Sequence, residues 1–424
     1  MKPSLARLRS LCPETEQEFI REHLTRLEER YFQYFSEERI AEHLQVLGRL
    51  STEAPIQTLV QPREKDRLEI TVLAFDYPGE FSLITGVLAA SGFNIISGEV
   101  YTYSQYQPTS ASEAAGGTRR GTFASRLRKS RSIRTDPLHR GRIIDHFFGR
   151  VASRLAPEMW EIQLQNHLAE TIALLERGEE ESLQLARQRV NEQVAQYLAS
   201  VQLPAEAVLY PVRIEVGSGV RDSSSVTVVA QDTPFFLYAL STALALRSIY
   251  IESIRIRTVA NKIEDEFSFL DAQGNRITDA DRLDQVKFSV LLTKQFTYFL
   301  ASAPDPYAAL CRFEQLVERV FELPEQGRWA ELLSNPLILR DLARLLGASD
   351  YLWEDFIRLQ YETLLPMLEP HLQGQSFSAP AGELSDRLAE ALGTARSMQK
   401  KLKILNEFKD REIFLLELDH IVAP

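Results

Sequence analysis

The chain has 424 residues, with 48 Lys and Arg against 59 Asp and Glu, a net charge of −11; such a length makes about three domains, and the acidic balance argues against a general nucleic-acid binder, which would carry a basic domain. Charged residues are 25% and hydrophobic ones 44%, which excludes wholly disordered and collagen-like chains, and no apolar run reaches the ~20 residues of a membrane span. The start MKPSLARLRSLCPETEQ lacks a signal-peptide core, and the two cysteines, Cys12 and Cys311, have neither disulfide-framework nor metal-ligand spacing, so a cytoplasmic protein is expected.

Residues 1–64 read as helical, with Phe19, Leu24 and Leu27, then Ile40, Leu44 and Leu47, at helical spacing. His23 and His43 fall on charged helices and are expected at the surface, with no ligand cluster to hold a metal. An internal repeat follows. Leu68–Tyr103 aligns without gaps on Ser224–Val259. Ile70 matches Val226, Asp76 matches Asp232, Pro78 matches Pro234, Leu88 matches Leu244 and Ser97 matches Ser253. Each copy runs from a β-rich strand into Asp-x-Pro, with the Asp as expected N-cap and the Pro in the first turn. A helix with an apolar stripe and a second strand follow. The first copy continues through the strand at Arg142–Val151 and a long amphipathic helix from Trp160, with Pro211–Val216 expected as its last strand. The second continues through Phe267 and Phe269 into a helix from Asp279. The order predicted is βαββαβ, a ferredoxin-like unit, twice.

Ser104 to Gly141 interrupts the first copy. It carries Arg119, Arg120, Arg126, Arg128, Lys129, Arg131, Arg134 and Arg140 against Glu113 and Asp136, and reads as a disordered basic surface loop. Residues 296–424 read as helices separated by Pro-containing joints. No catalytic motif is present. Gly217-Ser218 has no Asp-x-Asp at usable spacing, Asp279-Ala280-Asp281 reads as a helix cap, and Asp145-His146 and Asp419-His420 are isolated. Neither a phosphate-binding glycine loop nor a nucleophile triad is found.

The first turn keeps chemistry that the second loses. Gly79 leaves backbone amides approachable, and a helix N-terminus suits a carboxylate. The second copy has Phe235 for Gly79 and Tyr250 for Asn94, so it is expected not to bind at the equivalent position. Strand, Asp76-Tyr77-Pro78-Gly79-Glu80-Phe81, helix, Gly92-Phe93-Asn94-Ile95, strand resembles the ACT domain, a small-molecule-sensing regulatory module. The pair, with FSLITGVLAASGFNI and DAQGNRITDADRL, resembles the tandem ACT domains of the PII uridylyltransferase family over about residues 66–103 and 142–295. YFQYFSEERIAEHL resembles the helical segment that precedes such pairs. The run Leu405-Asn406-Glu407-Phe408-Lys409-Asp410-Arg411-Glu412 and the helices before it resemble the opening part of glutamine synthetase adenylyltransferase.

The resemblance implies an α+β chain: an N-terminal helical segment (1–64), a first ACT-like domain (65–217) with the insert at 104–141, a second (222–295), and a helical adenylyltransferase-like region (296–424). It implies an amino-acid sensor, glutamine first, forming the regulatory part of a nucleotidyltransferase in nitrogen metabolism. The ligand would meet Asp76, Pro78, Gly79, Glu80, Phe81, Asn94 and Ile95. No catalytic or metal-binding residue is expected; ATP and Mg2+ would belong to a catalytic domain outside this chain. Glutamine synthetase and the PII signal protein are the implied partners, with a homodimer through the ACT domains, no nucleic acid and no membrane. The alternative is a non-enzymatic interaction or dimerisation protein.

Overall fold

A computed structural model describes residues 2–63, 67–104, 139–152, 156–200, 212–219, 222–233, 235–259, 262–320, 332–333, 335–348, 350, 353, 371, 373–393 and 397–422. Residues 105–138 of the basic insert, Pro211, Arg221, Pro234 and the joint at Glu369-Pro370 lie outside these. The chain divides into two compact units, Met1–Gln193 with Val212–Leu283, and Val194–Pro211 with Asp284–Pro424.

The first unit is built on one antiparallel sheet. Its strands are β1 (Ile56–Pro62), β2 (Arg67–Phe75), β3 (Phe93–Thr102), β4 (Arg142–Val151), β5 (Arg213–Ser218), β6 (Ser224–Gln231), β7 (Tyr250–Val259) and β8 (Lys262–Leu270). Their order across the sheet is β1-β2-β4-β3-β7-β8-β6-β5. The helices are α1 (Leu5–Leu11), α2 (Gln17–Arg26), α3 (Glu29–Tyr34), α4 (Glu37–Gly48), α5 (Glu80–Ala90), α6 (Pro157–Arg177), α7 (Glu180–Ser200) as far as Gln193, and α8 (Phe236–Leu246). The α+β class expected from the sequence is present.

Two readings are corrected by the strand pairing. Residues 213–218, expected to close the first copy, pair with β6 of the second. The first copy's edge is supplied instead by Ile56–Pro62, inside the segment read as purely helical, which pairs with β2. Each half therefore takes the strand that precedes it in sequence as its edge, and the edge must be sought upstream.

The halves meet along β3 and β7, antiparallel, with Glu99 opposite Arg255. These two are each other's counterparts in the repeat, so a local two-fold axis passes between them. They have diverged to opposite charge and form an ion pair at 3.4 Å. Beside the same axis α5 packs on α8. A Cβ at Gly86 would stand 2.5 Å from Val190 Cγ1 and 2.9 Å from the Tyr238 ring, so only glycine admits this approach.

Alternation gives the first half two buried faces. Ile143, Asp145 and Phe147 of β4 share one face with Ile70, Val72 and Val100, toward the α5 side. Thr71, His146, Glu99 and Tyr101 share the other, which α1–α4 cover. There His146 lies 5.1 Å from the Phe35 ring and Tyr31 lies 5.3 Å from Tyr101, both edge to face. His23 and His43, expected at the surface, are fully buried in this layer, hydrogen-bonded to Tyr103 (2.6 Å) and Tyr31 (2.9 Å). The helical charge pattern misled because each ring finds a hydroxyl partner inside an aromatic cluster. Burial holds both imidazoles neutral, His23 down to about 3.

The second unit is helical: α9 (Ala280–Thr297) from Asp284, a 3-10 turn (Leu300–Ser302), α10 (Pro306–Val320), α11 (Pro336–Ala348), α12 (Ala381–Gly393) and α13 (Met398–Val422). Phe296 stacks on Phe313 at 3.9 Å. The buried Glu314 accepts from Ser289 (2.8 Å) and Thr293. Arg312 donates to the Leu346 carbonyl at 2.6 Å, and Asp419 accepts the Phe377 and Ser378 amides, each at 2.8 Å. These bonds satisfy polar groups that the helices would otherwise bury unpaired.

Candidate functional site: the two helix-opening turns

In the first copy, β2 ends at Phe75 and α5 begins at Glu80. Between them the Glu80 amide donates to the Tyr77 carbonyl at 3.2 Å. Gly79 takes φ 78° and ψ 6°, the third position of a type II turn with Pro78 at the second. Asp76 is not the helix cap expected of it. The residue before α5 is Gly79, without a side-chain cap bond, and the Glu80 carboxyl reaches back to accept the Tyr77 amide at 2.8 Å. The turn places Asp76 too far upstream to reach the first free amides of α5. Asp76 and Pro78 are exposed, Gly79 is half-buried, and Tyr77, Glu80 and Phe81 are buried.

Behind this turn lies a polar cluster. The Tyr77 hydroxyl donates to Glu176 of α6 and accepts from Arg140 at 2.9 Å. Arg140 also pairs with Glu176 and lies 3.7 Å over the Phe75 ring. Arg26 of α2 donates to the carbonyls of Ser104 (2.8 Å) and His139 (3.0 Å), holding the two ends of the insert together. Desolvation, with the Asp76 charge beside them, pushes Glu80 and Asp145 well above the ordinary carboxyl range. A hydrogen bond between the two carboxyls raises Glu80 further and holds Asp76 down.

Asn94 and Ile95 are elsewhere. They start β3, beyond the far end of the 11-residue α5, which at 1.5 Å per residue is about 16 Å long. One copy therefore does not bring Asp76, Pro78, Gly79, Glu80 and Phe81 together with Asn94 and Ile95. The two-fold arrangement sets Asn94 and Ile95 beside the turn of the other copy instead. A cleft of about 50 Å3 lies there, lined by Asn94, Ile95 and Thr85 from the first half and by Asp232, Thr233, Phe235 and Asp265 from the second. Asn94 is exposed and Asp265 is 1% exposed. Asp265 accepts the Arg257 amide at 3.2 Å. The second turn copies the first: Phe236 donates to the Thr233 carbonyl at 3.2 Å, and Phe235 takes φ 64° and ψ 7°.

Asp145 and Asp265 were not singled out as a pair in the sequence. They occupy one register: Asp145 pairs with Val72 and Asp265 with Val228, and the two valines are repeat counterparts. The insert breaks the gap-free alignment just before them, which hides the equivalence. Both are buried, and neither Asp145 oxygen has a hydrogen-bond partner among the described residues.

The remaining motifs have structural partners. Asp279 caps α9, accepting the Arg282 amide at 2.8 Å. Ser218 accepts from Arg276 at 2.5 Å, and His146 bonds Thr71 at 2.9 Å. Among the described residues no group of three or more His, Cys, Asp or Glu could hold a metal ion, and no helix is long and apolar enough to cross a membrane.

No family model matches the chain. It is similar to bifunctional uridylyltransferase/uridylyl-removing enzymes. It is 27% identical over 242 residues to that of Gluconobacter oxydans (strain 621H), covering 57% of this chain and 20% of the relative. It is 24% identical over 221 residues to that of Rhodopseudomonas palustris (52% and 19%) and 24% over 260 residues to that of Azospirillum brasilense (58% and 22%). The chain thus spans about a fifth of the length of the curated relatives it matches.

Proposed function

We propose that the first unit is a tandem ACT-type sensor that binds a free amino acid, glutamine first, and serves as a regulatory part of a nitrogen-control nucleotidyltransferase. The observation that carries this reading is the cleft on the seam of the repeat, where Asn94 and Ile95 of one copy face the helix-opening turn of the other across the buried Asp265. Its chemistry suits a zwitterion. Amides of a helix-opening turn suit a carboxylate, the Asp232 and Asp265 carboxyls suit an ammonium group, and the Asn94 amide can pair with a side-chain amide. The first turn, with Asp76, Pro78, Gly79, Glu80 and Phe81, is the two-fold counterpart and the second place for the same ligand. The similarity to uridylyltransferase/uridylyl-removing enzymes supports the setting. The helical second unit we assign, on its resemblance to adenylyltransferase opening helices, to relaying the ligand state to a catalytic module acting on glutamine synthetase, with the PII protein as a further partner.

Thermal-shift titration of the chain with the common amino acids tests this. A ligand at 100 times its Kd adds about 2.7 kcal/mol of stability. Glutamine is expected to give that shift, Asn94→Leu to abolish it if the described cleft is the site, and Gly79→Phe to abolish it if the first turn is. Absence of a shift with any amino acid would refute the sensor reading.

A further inference from the structure

At two equivalent positions of the repeat, positive φ belongs to glycine in the first copy and not in the second. Gly79 and Gly92 stand at φ 78° and 79°, and their counterparts Phe235 and Ser248 at 64° and 55°. A residue with a Cβ is strained in that region, and a bulky one is an outlier there. The two positions also differ in what surrounds them. A Cβ added at Gly79 would meet no atom within 4 Å. Phe235 is 7% exposed and lies on the wall of the cleft with Asn94, Ile95 and Asp265. The space left beside the ring, about 50 Å3 on a measure where one water takes about 10–15 Å3, holds a few waters, fewer than the non-hydrogen atoms of glutamine.

We infer that Phe235 is a plug, whose ring occupies the space that the side chain of an amino-acid ligand takes, so that entry requires the ring to withdraw. Phe235 then sets both the affinity of the cleft and the size of side chain it accepts. The ligand class rests on the amino-acid reading above; the plug itself rests on Phe235's conformation and burial.

The test uses the full chain and two probes. Phe235→Ala removes the ring and keeps the Cβ, Phe235→Gly removes both, and Phe235→Leu preserves apolar bulk should the smaller variants fold poorly. Benzene reports the vacated space: it is expected to raise the Tm of Phe235→Ala and Phe235→Gly and to leave wild type unmoved. By calorimetry glutamine is expected to bind Phe235→Gly at least tenfold more tightly than wild type, with Phe235→Ala between them and Phe235→Leu nearest to wild type. If benzene shifts none of the folded variants, the ring does not fill the cleft and the inference fails, whatever glutamine does. If glutamine binds wild type and binds the folded variants equally or more weakly, the inference also fails, while the sensor reading stands. A benzene shift with no glutamine binding to any protein upholds the plug and overturns the amino-acid reading.

Discussion

Asp145→Asn isolates the cost of a buried carboxyl. Asp145 is 1% exposed on β4, flanked by Ile143 and Phe147 and opposite Val72, and neither oxygen is hydrogen-bonded among the described residues. Burial and the nearby Asp76 charge hold it protonated well above the ordinary range. An unfolded Asp titrates near 3.9, so above about pH 4 the folded state binds one more proton than the unfolded state. Stability from this group is complete below that pH. It falls by about 1.4 kcal/mol per pH unit up to the native pKa. The buried histidines act oppositely. His23 and His146 are lowered to about 3 and about 4, so their contribution is lost as pH falls below about 6.5. Those terms are common to wild type and variant and cancel in the comparison. Asp145→Asn should equal wild type within about 1 kcal/mol at pH 4, where the unfolded carboxyl is only about half ionised. Its advantage over wild type should then grow with pH, by about 1.4 kcal/mol per unit until the native pKa is reached. Amide exchange of β2 and β4, corrected for intrinsic rate, reads this as protection rising relative to wild type above pH 4, by about tenfold per unit below the native pKa. A ratio that stays constant with pH would refute a neutral native Asp145.

Arg140→Met should cost about 1–3 kcal/mol, because it takes a cation from the partly buried Glu176 and a donor from the Tyr77 hydroxyl, and urea unfolding of Arg140→Met/Glu176→Leu should recover most of that loss; a single-variant loss below about 1 kcal/mol would show that water serves the pair equally well. Glu99→Arg gathers three arginines, at 99, 30 and 255, where two ion pairs now stand. Its loss should be about 1–3 kcal/mol, and Glu99→Arg/Arg255→Glu should show a coupling of about 1 kcal/mol in a double-mutant cycle, since Arg255 is partly exposed and Arg30 remains. Strict additivity would mean that the charges at the axis do not interact.

The repeat was legible because its signals are local. The strand, the Pro-Gly turn and the apolar stripe of α5 each span a few residues, and two copies agree on them. What was missed depends on pairing between distant segments. Nothing within Arg213–Ser218 says whether it joins β2 or β6; in both halves the edge position goes to the strand upstream. Asp76 and Asn94 looked like one site because they belong to one repeat, yet α5 holds them apart, and the two-fold axis joins Asn94 to the other copy's turn. Phe235 looked like a substitution that disables a site. In the fold it repeats the glycine backbone at a cost in strain and lines the cleft. The buried histidines were misread because amphipathic patterning does not register a Tyr hydroxyl that satisfies an imidazole from another element.

The Glu99–Arg255 pair bears on how such a module could work. At a two-fold axis equivalent residues face each other, so two identical first copies would oppose Glu to Glu, and two second copies Arg to Arg. Like charges in a partly desolvated seam repel; the divergence to opposite signs favours the pairing of unlike copies within one chain. Arg30 of α3 also holds Glu99, at 3.3 Å, so the N-terminal helical layer and both repeats meet at one carboxylate. A ligand in a cleft walled by both copies touches the same seam from the side. If it prefers one setting of the copies over another, that preference is the coupling energy, about 1–3 kcal/mol in ordinary allosteric proteins. The helical layer, tied to Glu99 through Arg30 and to the ends of the basic insert through Arg26, is the element of the first unit placed to feel it.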